Sequence, residues 1–136
     1  MATGGDPRRF FVEKCFVTEP QYDAARALGG DVVERLLEAN LIEERHAWQF
    51  RAMTMGMGYV DLERVRVDLA ASLCLPTDLA REIGVLPVRL DGNTLWAVFR
   101  DPTSRTALER AQEISGLRVI PVVATPTALR AALARL

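Results

Sequence analysis

The stretch at residues 85–101, VLPVRLDGNTLWAVFRD, constrains the fold more than any other part of the chain. Two apolar runs flank Asp91-Gly92-Asn93-Thr94. Gly and Asn enter left-handed backbone conformations at little cost, so the junction predicts a tight hairpin turn. The first run places Leu86, Val88 and Leu90 on one face, and the second places Leu95, Ala97 and Phe99 on one face. That period of two predicts half-buried strands.

The segments around the hairpin carry their own start and stop signals. Asp101-Pro102-Thr103-Ser104 breaks the chain and opens a helix over 104–115, with Leu108, Ala111 and Ile114 inward and Arg105, Glu109, Arg110 and Glu113 outward. Gly116 ends it, and residues 117–123 form a third strand. Thr125-Pro126 caps a last helix that buries Leu129, Leu133 and Leu136. Ahead of the hairpin, residues 59–62 read as a short strand or extended link. Asp68 caps a short helix over 69–73, and Pro76-Thr77-Asp78 starts another that stops at Gly84.

The front of the chain is helical and repeats itself. Residues 8–15 form a short helix with Phe10, Phe11 and Cys15 on one face. Thr18 with Gln21 three residues on is a capping box, and the helix it starts runs to about Leu28, before Gly29-Gly30. Residues 11–27 and 36–52 align at an offset of 25, with Glu13/Glu38, Glu19/Glu44, Arg26/Arg51 and Ala27/Ala52 identical and apolar character kept at Phe11/Leu36, Val12/Leu37, Phe16/Leu41 and Val17/Ile42. This is a duplicated helix–turn–helix, two of which can bury one common core. The helix over 43–57 carries two apolar faces. Phe50, Met53, Thr54 and Met57 form one, and Trp48, Ala52 and Met55 form the other, with Glu44 and Arg51 between them. A second apolar face serves either packing inside the domain or a partner. The partner reading makes Trp48, Arg51 and Met55 the candidate surface.

These pieces predict an α+β fold. A helical tandem-repeat subdomain over 1–58, with a loose tail over 1–7, packs against an α/β subdomain over 59–136. The latter holds a three-stranded sheet, made of the hairpin and one more strand, with two C-terminal helices. The expected result is a single compact unit, consistent with 136 residues.

Composition narrows the function classes. A net charge of −1, with Arg and Glu alternating along the helices, argues against a nucleic-acid partner. Cys15 and Cys74 sit in apolar runs and read as buried reduced thiols. With one histidine and two distant cysteines no metal site is expected, and no cofactor. No apolar run reaches the roughly 20 residues of a membrane span. The polar start, MATGGDP, lacks the core of a signal peptide, so the protein is expected in the cytoplasm. There is no phosphate-cradling G-x-x-x-x-G-K-[ST] motif. His46 stands alone between Arg45 and Ala47 on a helix, and Glu43/Glu44 read as first-turn charges on the helix dipole. No catalytic residues are assigned, and the chain is read as a non-enzyme.

Read in order, the pieces resemble the N-terminal domain of the hexameric ATPases that drive type II secretion and type IV pilus assembly. The resemblance is carried by Tyr59-Val60-Asp61-Leu62, Leu75-Pro76-Thr77-Asp78-Leu79-Ala80-Arg81 and Gly84-Val85-Leu86-Pro87-Val88. It continues through Leu95-Trp96-Ala97-Val98, Asp101-Pro102 and Ser115-Gly116-Leu117-Arg118-Val119. It implies a regulatory domain that docks onto a protein component of a secretion or pilus machine, and through that partner is recruited to the inner membrane. In a subset of the family it implies binding of cyclic di-GMP. That subset carries two tandem motifs, each with Arg-Leu-Gly near its start, a Gly after the first helix and a terminal Gln. Here Asp31-Val32-Val33, Asn40 and Thr54 stand at those places in the second copy, and Asp6-Pro7-Arg8 and Cys15 in the first. An Asp where the motif has Arg removes a phosphate contact and adds repulsion. No nucleotide-binding residue is carried across, and cyclic di-GMP remains the alternative to protein docking.

Overall fold

A computed structural model describes residues 6–136 and divides the chain into two compact units, one ending at Gly56 and the other running from Met57 to Leu136. The tail expected over 1–7 lies outside the described residues for positions 1–5. At Asp6 and Pro7 the structure differs. The Asp6 carboxylate accepts the Arg8 N–H and Pro7 opens a helix, where its missing N–H costs nothing.

Among the described residues the first unit is four helices, α1 (Pro7–Glu13), α2 (Glu19–Ala27), α3 (Val32–Glu38) and α4 (Glu44–Met55). Their caps recur at the 25-residue offset. Asp6 and Asp31 cap α1 and α3 through their carboxylates, and Thr18 and Glu43 hold the N-cap positions of α2 and α4. The turns recur as well. Phe16 N–H donates to Phe11 C=O and Leu41 N–H to Leu36 C=O, while Cys15 and Asn40 take left-handed φ of 62° and 58°. Phe11 and Leu36 are completely buried, in a core shared with Phe10, Val17, Tyr22, Val33, Ile42, Ala47 and Phe50. Phe11/Leu36, Val17/Ile42 and Tyr22/Ala47 thus contribute the same positions from both halves of the repeat, while Phe10 and Val33 stand where the other half has Arg35 and Arg8.

Two details of this unit depart from the sequence expectation. Cys15 is exposed, because its left-handed φ turns the chain away from the core face of α1. On α4, Ala52 is buried and Met53 is 39% exposed, the reverse of the two-face assignment. The helix also stops at Gly56, whose φ is 68°, so Met57 is not part of either face.

The second unit is built on the hairpin of β1 (Val85–Asp91) and β2 (Thr94–Phe99), with β3 (Arg118–Val122) parallel to β2 in the order β1-β2-β3. The left-handed turn residue is Gly92, at φ 58°. Helices α5 (Leu69–Ser72) and α6 (Thr77–Ile83) precede the sheet, α7 (Arg105–Ser115) crosses from β2 to β3, and α8 (Pro126–Ala134) follows. Each face of the sheet has its own core. Val85, Leu95, Ala97, Phe99 and Val119 pack with Ala71 and Ala111 on one side. Leu86, Val88, Val98 and Val122 pack with Leu129 and Leu133 on the other. The strands are therefore covered on both faces where half-buried strands were expected. A bulge between Pro87 and Arg89 leaves Val88 without a register partner and moves Leu90 to the face opposite Leu86 and Val88. Ile114 and Leu136, expected inward, are exposed; Leu136 lies past the end of α8.

The sheet edges are closed. Along β3, the outward positions are 119, 121 and 123. Gln112 Oε1 accepts the Val119 N–H, Pro121 has no N–H, and Gly58 C=O accepts the Val123 N–H. Along β1, Asp68 donates its own N–H to Val88 C=O, and its carboxylate accepts the N–H of Leu90 and of Ala70. Gly84, at φ 71°, ends α6 and turns directly into β1. A Cβ there would stand 2.8 Å from Arg100 side-chain atoms, so both backbone and space demand glycine.

Candidate functional site

The candidate surface lies on α4. Trp48, Arg51 and Met55 follow at intervals of three and four residues, which puts them on one side of the helix. All three are half-buried. The Arg51 guanidinium lies over the Trp48 ring at 4.8 Å from its centroid, a cation–π contact that holds the indole flat. Arg51 also pairs with Glu34 in the first turn of α3 and, at 3.7 Å, with its N-cap Asp31. The structure thus joins Trp48 to Arg51 directly, while Met55 shares their side of α4 through spacing alone.

The ion pairs invert between the two copies. In the first, Arg8 on α1 pairs with Glu19 and Asp23 on α2 and lies over the Tyr22 ring at 4.8 Å. In the second, the acids are on the leading helix and the arginine is on the following one. Each pair ties its two helices together, and the inversion gives the second copy an arginine beside the half-buried Trp48.

The positions where a phosphate-binding motif would place Arg are filled by helix caps. The Asp31 carboxylate accepts the Val33 N–H, and the Asp6 carboxylate accepts the Arg8 N–H. Two helix N-termini that could otherwise draw an anion are thus occupied by the chain's own carboxylates.

His46 is structural. Its Nδ1 accepts the Glu43 N–H at 3.1 Å, its ring stacks on Phe16 at 4.2 Å, and burial lowers its pKa below the ordinary imidazole value. Arg45 pushes in the same direction and Glu43 opposes it. Among the described residues, no three His, Cys, Asp or Glu side chains gather where they could hold a metal ion, and no helix is long and apolar enough to cross a membrane.

Sequence reading missed a second tryptophan–arginine pair, in the other unit. Arg89 on β1 stands opposite Trp96 on β2, with its guanidinium 5.5 Å from the ring centroid. The register set by the turn, with Asp91 opposite Thr94 and Leu90 opposite Leu95, puts Arg89 across from Trp96; reading only the apolar faces of the two runs left this polar pair out.

Comparison with known proteins agrees with this architecture. A model of the MshEN domain matches residues 55–136. The type IV pilus assembly ATPase PilB of Thermus thermophilus is 37% identical over 106 residues, which span 74% of this chain and 12% of PilB. The chain thus corresponds to about one-eighth of the length of that relative. Among solved structures, MshE with cdg has a TM-score of 0.63 at 24% identity, covering 96% of this chain and 98% of that one. The N-terminal domain of XpsE has a TM-score of 0.55 at 18% identity, covering 92% and 89%. These two share the fold. The helical repeat, the three-stranded mixed sheet and the family match agree, and the chain belongs to the MshEN domain family, the N-terminal domain of type IV pilus assembly and type II secretion ATPases.

Proposed function

We propose that this domain is a non-catalytic docking and regulatory module that binds a protein component of a pilus or secretion machine. The observation that carries the reading is the Trp48–Arg51 pair, a half-exposed indole held flat under a guanidinium on α4. Trp and Arg are the residue types that most often dominate binding at protein interfaces. Here intramolecular contacts fix both in place, so little side-chain freedom is lost on binding. The similarity to PilB supports a pilus system as the setting. Through such a partner the domain is brought to the inner membrane from the cytoplasm. The test is capture of the cognate membrane-platform protein by wild type and by Trp48→Ala, with circular dichroism to verify the fold. Trp48→Ala is expected to weaken capture about tenfold or more; unchanged capture by a folded variant removes this face.

A second reading, a receptor for cyclic di-GMP, draws on the likeness to MshE, whose structure holds that ligand. The Asp6 and Asp31 caps weigh against it, because each places a carboxylate where a phosphate would bind. Calorimetric titration with cyclic di-GMP is expected to give no binding heat. Saturable heat would favour the second reading.

A further inference from the structure

We propose that the α/β unit carries a second docking site, separate from the α4 face, for an acidic amphipathic segment of a partner protein. The site is a groove of about 320 Å³ on the sheet face that packs against α8. Val88, Trp96 and Val122 form its floor, one from each strand. Tyr59, Val60, Asp61, Val65, Arg66 and Asp68 form its walls.

Two carboxylates, Asp61 and Asp68, and two guanidiniums, Arg66 and Arg89, line the groove, and no ion pair joins them among the described residues. Asp68 is engaged by two backbone N–H groups, and Asp61 accepts the Glu63 N–H and pairs with Arg64 at 3.6 Å. Among the described residues, neither Arg66 nor Arg89 has a carboxylate partner, and both are exposed. Arg89 instead lies over Trp96. The acids are thus spoken for within the fold while two guanidiniums face outward. An incoming carboxylate meets unpaired positive charge above an apolar floor.

Exposed apolar side chains follow the groove wall in sequence. Val65 lines it and is 47% exposed; Val67, Leu69 and Leu73 follow at 39%, 75% and 79%. These four are half of the large exposed apolar side chains named among the described residues, and they fall within nine positions. Leu69 and Leu73 are four apart at α5, so they point to one side. Ala71 between them is completely buried, which fixes that helix and turns the leucines outward. Scattered surface leucines are ordinary, but an apolar groove rimmed by Arg66 and Arg89, with Val65 exposed on its wall, is the anatomy of an interface. It fits a segment with aliphatic residues along one side and Asp or Glu at its border. Both sheet edges are closed, so the segment binds by side chains and not as an added strand.

The experiment selects a random peptide library displayed on phage against the full chain. Enriched peptides are expected to combine aliphatic with Asp or Glu residues. Fluorescence anisotropy of an enriched peptide is expected to show binding about tenfold weaker for each of Arg66→Glu and Arg89→Glu. Val65→Ser should weaken it as well, and Trp48→Ala should leave it unchanged, which separates this site from the α4 face. All the substituted side chains except Trp48 are exposed, and thermal melts verify folding. Failure to enrich any peptide overturns the proposal. So does a basic or wholly polar consensus, or binding that survives both arginine reversals. Quenching of Trp96 by a mononucleotide, with no peptide enriched, overturns it in favour of a small-anion site.

Discussion

Cys15 and Asn40 occupy one structural position twice, each just past the end of the leading helix in its copy of the repeat. The left-handed conformation there costs a residue with a Cβ about 1 kcal/mol or more, and Asn tolerates it better than Cys. Cys15→Gly is therefore expected to raise stability by about 1 kcal/mol in urea unfolding, and Asn40→Gly by only a few tenths. His46 has a counterpart of the same kind in Gln21, since both sit at the third position of their helices and accept the N-cap N–H. The folded imidazole titrates below its ordinary value of 6.5. The unfolded chain therefore takes up the proton first as pH falls. The contribution of His46 is full above that value and is lost as pH drops through it toward the lowered folded pKa. Urea midpoints measured between about pH 7.5 and about pH 5.5 should fall with pH, and His46→Gln should remove most of that slope while keeping the cap. The chain has one histidine, so the window is its own. The capping box at Thr18 was legible because its residue types announce it. His46 in the same role was not, because imidazole is rarely a capping group.

At the scale of elements, periodicity located every strand and most helices, and it failed where a local device changed the phase. Leu90 was assigned to the face of Leu86 by counting in twos; the bulge at Val88 shifts it across the sheet. Ile114 fits the helical stripe of α7, yet it lies at the last turn, where the sheet no longer covers it. Asp68 shows the opposite case. Sequence marks it as a cap for α5, while its other carboxylate oxygen and its N–H hold the edge of β1 at Leu90 and Val88. Asp68→Ala is expected to destabilise the α/β unit by about 1–3 kcal/mol, more than a surface cap alone, because Leu90 N–H loses its acceptor. Amide hydrogen exchange should locate the loss at α5 and β1. The candidate surface divides similarly. The spacing of Trp48, Arg51 and Met55 could be read off a helical wheel, but the pairing of Arg51 with Asp31 and Glu34 depends on how α3 meets α4.

For the whole molecule, the closed edge at β3 decides how the protein behaves when crowded. An open strand is a template on which identical chains stack, and crowding makes such encounters frequent. Here one side-chain amide, one imino acid and one loop carbonyl remove three successive donors from that template. Gln112→Ala combined with Pro121→Val would restore two of them. That variant is expected to form thioflavin-positive fibrils at concentrations where the parent stays monodisperse by light scattering. On this view Gln112 and Pro121 act as guards of colloidal behaviour, selected for what they prevent between molecules rather than for any bond they contribute within one.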